Sequence, residues 1–181
     1  MTAQGPYFTE LIRPTPSVEC NNKIKFIQKT QENNLLGFLQ NRKEYSIFNH
    51  MMQLANMAGK FNSRQMYMTL FVVSDEDLKK QFPESVFINM DLLTARKILL
   101  HHTLDRNVSL DMLKSSRGMF LTNKTGDRLL FTQDSENNMH INRDINIYDK
   151  IEIVNNAIIL FTDKIIVPHD LSCGNQSLNM C

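Results

Sequence analysis

Apolar and polar positions change period repeatedly along this chain, and one stretch changes it without an intervening loop. Thr69 to Val73 is a run of β-branched, aromatic and apolar residues, too short for a buried helix and suited to a strand covered on both faces. Ser74 then starts a helix: its hydroxyl is placed to accept a backbone N–H, and Asp77 stands three residues on as in a capping box. Asp75, Glu76 and Asp77 all favour the positive end of the helix dipole, and Leu78 and Phe82 share one helical face.

Upstream, a helical period begins at Asn34 with Leu35, Leu36, Phe38 and Leu39. A second helix is expected from Ser46, as its N-cap, to Gly59, burying Phe48, Met51, Met52, Ala55 and Ala58. After Pro83 the chain turns, and Asp91 caps a third helix whose apolar positions are Leu92, Leu93, Ala95, Ile98 and Leu99, running into His101 and His102. The remainder reads as strands. Met119–Thr122 and Leu129–Thr132 make a hairpin around Gly126; Ile145, Ile147, Ile151 and Ile153 alternate with polar residues; Asn155-Asn156 turns into Ala157–Phe161; and FTDKIIVP closes the pattern at Pro168. The expected organisation is an extended N-terminal arm at 1–33, a domain at 34–168 and a polar tail at 169–181. In the arm, Pro6, Pro14 and Pro16 favour extended backbone around the apolar cluster Tyr7, Phe8, Leu11 and Ile12, a candidate docking element for a partner.

Composition narrows the function classes. Lys+Arg 20 against Asp+Glu 19 leaves a net charge of +1, so no global field draws the protein to nucleic acid or an anionic membrane. Residues 1–20 lack the apolar core of a secretion signal and no run is long enough to span a bilayer, which leads to the expectation of a soluble protein made in the cytosol. Cys20, Cys173 and Cys181 lie outside the patterned region, contain no C-x-x-C and read as reduced thiols. Adjacent His101 and His102 point about 100° apart on a helix, so they do not form the facing i, i+4 pair that binds zinc. The methionines of the second helix read as core. With no G-x-S-x-G, no phosphate-cradling glycine loop and no positioned nucleophile, neither an enzyme, a cofactor nor a metal is expected.

Four stretches together resemble the fasciclin domain. Thr69 to Leu78 is similar to its first motif, T-x-F-x-P-[ST]-[DN]-x-A-F, with Val73 for the proline and Leu78 for the phenylalanine. Glu44-Tyr45-Ser46 and Ala58-Gly59 stand where its opening helices lie. The third helix, running into His101 and His102, resembles its second motif, L-x-x-L-L-x-Y-H-V-V, with His102 on the histidine and His101 for the tyrosine. Asn156, Asp163, Ile165, Ile166, Val167 and Pro168 match its closing N-G-V-I-H-x-I-D-x-V-L-L-P, with Ala157 for the glycine and Leu160 for the histidine. The resemblance implies an α+β fold over 34–168: a β-wedge or sandwich of about seven strands with a set of short N-terminal helices packed on it. It also implies structural roles for Phe71, Ser74, Asp77, His102, Asn156, Asp163 and Pro168, with His102 buried and hydrogen-bonded.

The resemblance further implies a non-enzymatic protein–protein interaction module. An Asn-, Ile-, Lys- and Met-rich composition and the absence of a leader point to a structural or assembly component, with capsid or scaffold subunits as partners and a minor capsid protein of a large DNA virus as the setting. The alternative is a secreted or surface adhesion protein that binds matrix or integrin-like receptors. Against it, the aspartate-isoleucine pair of adhesive relatives is Ile151-Glu152 at that register, although Asp144-Ile145 lies a little earlier. The sequons at Asn107, Asn123 and Asn175 are frequent by chance in an Asn-rich chain.

Overall fold

The computed structural model describes residues 27–29, 34–61, 67–116, 118–168 and 171. Strand β2 (Met68–Val73) is its centre: all six residues are buried, as an apolar run with no polar alternation requires. β2 pairs antiparallel with β3 (Thr103–Leu104) and parallel with β8 (Ala157–Thr162). β8 in turn pairs with β7 (Ile145–Val154), and the mixed sheet continues through β6 (Met139–Ile141) and β5 (Arg128–Gln133) to β4 (Met119–Thr122). The β4–β5 hairpin turns at Gly126, whose φ of 93° lies in the left-handed region. The far edge of β7 is shared: β6 pairs with Ile145–Ile147, and β1 (Ile27–Lys29) runs parallel to Ile151–Ile153. Residues 27–29 of the expected arm therefore belong to the sheet.

Between those two stretches of β7 the register on β8 slips, from Ile147 opposite Thr162 to Ile151 opposite Leu160. Tyr148, Asp149 and Lys150 bulge outward there, all three exposed. Because four steps on β7 match two on β8, the side-chain alternation survives the bulge. Ile145, Ile147 and Ile151 stay on one face, while Val154 enters the opposite core.

The sheet separates two apolar cores. On one face, helices α1 (Leu35–Gln40), α2 (Ser46–Leu54), α3 (Ala58–Phe61) and α6 (Leu92–His101) cover Leu70 and Val72 of β2 and Ile159 and Phe161 of β8. On the other, Phe71 and Leu160 meet Leu129, Phe131, Ile141 and Ile147 where the sheet wraps over itself, closed by Leu110 and Leu113 of α7 (Leu110–Ser115). Two short helices, α4 (Asp75–Gln81) and α5 (Glu84–Ile88), bridge β2 to α6. This is the α+β wedge with short helices on one side that the resemblance implies.

Four expectations are corrected. Ser46 is not the N-cap of α2 but its first residue; Tyr45 precedes it, and the cap comes from Asp75 across the fold, whose carboxylate accepts from the N–H groups of Ser46 (3.1 Å) and Ile47 (2.9 Å) and from the Ser46 hydroxyl. α2 stops at Leu54, well before Gly59, because Asn56 turns left-handed with φ 52°. In α6 the buried stripe is Thr94, Ala95, Ile98 and Leu99, and Leu92 and Leu93 are exposed. Leu93 precedes Ala95 by two residues, about 200° around the helix, and faces away from the sheet. Finally the tail is not wholly polar, since Leu171 is buried in the helix-side core.

Candidate functional site

The polar groups brought together by β2 and α6 form a closed structural network. His102 is fully buried; its Nδ1–H donates to the carbonyl of Phe71 (3.0 Å) and its Nε2 accepts from the Ile166 N–H (2.7 Å). Those two bonds fix the tautomer, and the ring ties β2 to the chain just after β8. Burial pushes its pKa down to about 3, outweighing the Phe71 bond, so the ring is neutral. His101 is turned away from it, as expected for adjacent residues. Its Nδ1 lies 2.8 Å from the Asn123 amide, 3.1 Å from the Thr125 hydroxyl and 3.2 Å from the Asp127 carboxylate, and burial holds its pKa below the usual value despite Asp127. Asn123 is buried, and the Nδ2 that would carry a glycan points at His101; the sequon there is a structural turn. Asn107 is exposed, and Asn175 lies outside the described residues.

The other named positions serve the same scaffold. Phe71 is fully buried against Phe131, with ring centroids 5.9 Å apart. Ser74 Oγ accepts from the Asp77 N–H (3.1 Å) and donates to the Asp77 carboxylate (2.8 Å), which also takes bonds from Lys80 (3.0 Å) and Tyr148 (3.1 Å). Burial raises the Asp77 pKa, but these hydrogen bonds prevail and hold it below the usual range. Asp163 accepts from the Asn146 N–H (2.8 Å) and fastens the bulged strand to the end of β8. Asn156 occupies the β7–β8 turn, and the buried Pro168 offers its carbonyl to Leu171 (2.9 Å). Tyr7, Phe8, Leu11 and Ile12, the candidate docking cluster, lie outside the described residues.

One buried charge escaped the pattern reading. Glu152, a polar position of β7, is fully buried and takes a bidentate bond from Arg42 (2.6 and 2.9 Å), with Lys150 3.5 Å away. Arg42 and Lys150 each lie over an aromatic ring, Phe38 at 4.3 Å and Phe161 at 4.3 Å, and Tyr45 stacks between those rings. Burial first, then Glu44 and Glu152, push the Tyr45 phenol up to about 12. The only sequence signal was a lone arginine between helices, which no periodicity could pair with a glutamate more than a hundred residues on.

Among the described residues, large exposed apolar side chains stand at Met112 and Phe120, and three more fall close together in sequence. Ile88 (67% exposed), Leu92 (44%) and Leu93 (74%) fall within residues 88–93, where α5 hands over to α6. Beside them opens a cavity of about 180 Å³ between α2 and α5, lined by Ser46, Ile47, His50, Glu84, Phe87 and Ile88. Ile88 belongs both to this exposed apolar stretch and to the pocket wall. Among the described residues there is no group of three His, Cys, Asp or Glu side chains that could hold a metal, and no helix long and apolar enough to cross a membrane.

The fold is of the α+β wedge class. The sequence matches the family model described as the fasciclin domain over residues 43–168, and the chain belongs to that family. Among solved structures it is similar to a FAS1 domain pair from the insect cell adhesion molecule fasciclin I, with 21% identity and a TM-score of 0.62. That match covers 76% of this chain and 52% of the other, so the chain spans about half the length of the structure it resembles. No curated protein matches it.

Proposed function

We propose that this chain is a non-catalytic protein–protein interaction module that serves as a structural subunit of a larger assembly. The supporting observation is the exposed stretch of Ile88, Leu92 and Leu93 beside the α2–α5 cavity: three large apolar side chains at the junction of two helices, next to a pocket, on a domain with two buried cores of its own. The arm cluster Tyr7, Phe8, Leu11 and Ile12 is the second docking element in this reading, and composition suggests the capsid of a large DNA virus as the setting. The alternative is adhesion at a cell surface, favoured by the likeness to a cell adhesion molecule.

Sedimentation of the protein from its native source separates the two. An assembly subunit travels with a large particle, and a chain lacking residues 1–26, cut before β1 so that the sheet stays whole, keeps its melting temperature and leaves the particle. Recovery on the outer cell surface, free of any particle, supports adhesion instead.

A further inference from the structure

A second opening lies at the bulge of β7, and its chemistry differs from that of the apolar ridge. It encloses about 490 Å³ between the end of α7, the β5–β6 turn and the bulged part of β7. Lys114, Glu136, Asn137, Asn138, Tyr148 and Asp149 form its polar rim. Part of that rim is already engaged. Lys114 pairs with Asp149 at 3.0 Å, the Asn138 amide donates to Asp134 (3.0 Å), and the Tyr148 hydroxyl donates to Asp77, which pins the ring while leaving it 39% exposed. The Glu136 carboxylate and the side-chain amides of Asn137 and Asn146, all in the wall, have no hydrogen bond to another described residue.

We propose that this groove binds a neutral oligosaccharide. Sugar hydroxyls both donate and accept, so they are best met by amides, which do both, and by carboxylates, which accept at two oxygens. An aromatic ring held by its hydroxyl beside them covers the C–H face of a pyranose. The volume falls in the range of about 300–1,000 Å³ typical of small-ligand sites, which suits a short saccharide better than a single ring. Charge selects the class: Glu136 and Asp149 outnumber Lys114, whose ammonium is already paired, so sulfated, phosphorylated and carboxylated sugars meet repulsion.

The test uses the full chain and saturation-transfer NMR with titration, against maltose, cellobiose, chitobiose and lactose as neutral probes and 3′-sialyllactose and a heparin disaccharide as acidic ones. The expected result is contact with at least one neutral probe and none with the acidic pair. Asn146→Ala and Glu136→Ala, which break no protein hydrogen bond of the side chain, should each weaken binding about tenfold, the loss of one ligand hydrogen bond, with the melting temperature unchanged. Tyr148→Phe, which keeps the ring but releases Asp77, should retain binding. No neutral probe bound at about 10 mM overturns the assignment, as does binding as tight as the parent's by both variants or preference for an acidic probe.

Discussion

His102 should make the fold acid-labile, and the size of the effect follows from its surroundings. The ring is fully buried, its two nitrogens are committed to the Phe71 carbonyl and the Ile166 N–H, and its folded pKa is pushed from 6.5 to about 3. A folded pKa below the unfolded one means that the unfolded chain takes up a proton first as pH falls. The stability contribution is complete above pH 6.5 and is lost between there and the folded pKa. From pH 7 to pH 5 the linkage relation gives a loss of about 2 kcal/mol from this one group, before any carboxylate titrates substantially. His101 adds to the same decline, because burial lowers its pKa too. Urea melts of the parent and of His102→Gln at pH 7, 6 and 5 isolate the term. The glutamine can still accept from Ile166 but leaves the Phe71 carbonyl unpaired, so the variant should be about 1–3 kcal/mol less stable at pH 7. Its decline to pH 5 should be shallower than the parent's by about 2 kcal/mol. Parallel declines would mean that His102 is not the neutral, desolvated group described, and the reasoning fails.

Phe71→Ala removes a fully buried ring from the Phe131 pair and should cost about 3–5 kcal/mol in urea melts; a parent-like midpoint would place the strand elsewhere. Arg42→Met leaves Glu152 buried with only Lys150 near it and should cost about 3 kcal/mol, while the double change Arg42→Met with Glu152→Leu recovers most of that loss; an additive double variant contradicts the pairing. Asp75→Ala uncaps α2 and should lose about 1 kcal/mol of thermal stability, whereas Glu76→Ala, on the solvent side of the same turn, should be close to neutral.

What the sequence announced were the features with local causes. The buried run of β2, the Ser74 and Asp91 caps, the Gly126 hairpin and the Asn155-Asn156 turn each depend on neighbours within a few residues, and each stands in the fold as read. The misreadings have tertiary causes. Ser46 looked like a cap because serine caps helices, yet the acceptor that satisfies those N–H groups is Asp75, twenty-nine residues on. Asp75 itself was credited only to its own helix dipole. Leu92 and Leu93 extended an apolar run, but helix phase puts the buried stripe of α6 at Thr94, Ala95, Ile98 and Leu99, and the two leucines are left exposed. Glu152 looked like an ordinary outward polar position because nothing local reveals that α1 and Arg42 close over it. The polar groove is assembled from α7, a hairpin turn and a strand bulge, none of which carries a motif.

The central claim is that the 88–93 ridge is a docking surface for another protein. Its direct measurement is site-specific photocrosslinking: a benzophenone amino acid at Leu93, with Lys124, in the β4–β5 hairpin, as the comparison position, in protein produced in its native source. The account predicts one discrete crosslinked species from position 93, of constant mass between preparations, absent from position 124 and lost when Ile88→Asp is added. Equal, diffuse labelling at both positions, or a discrete product that Ile88→Asp leaves intact, would contradict it.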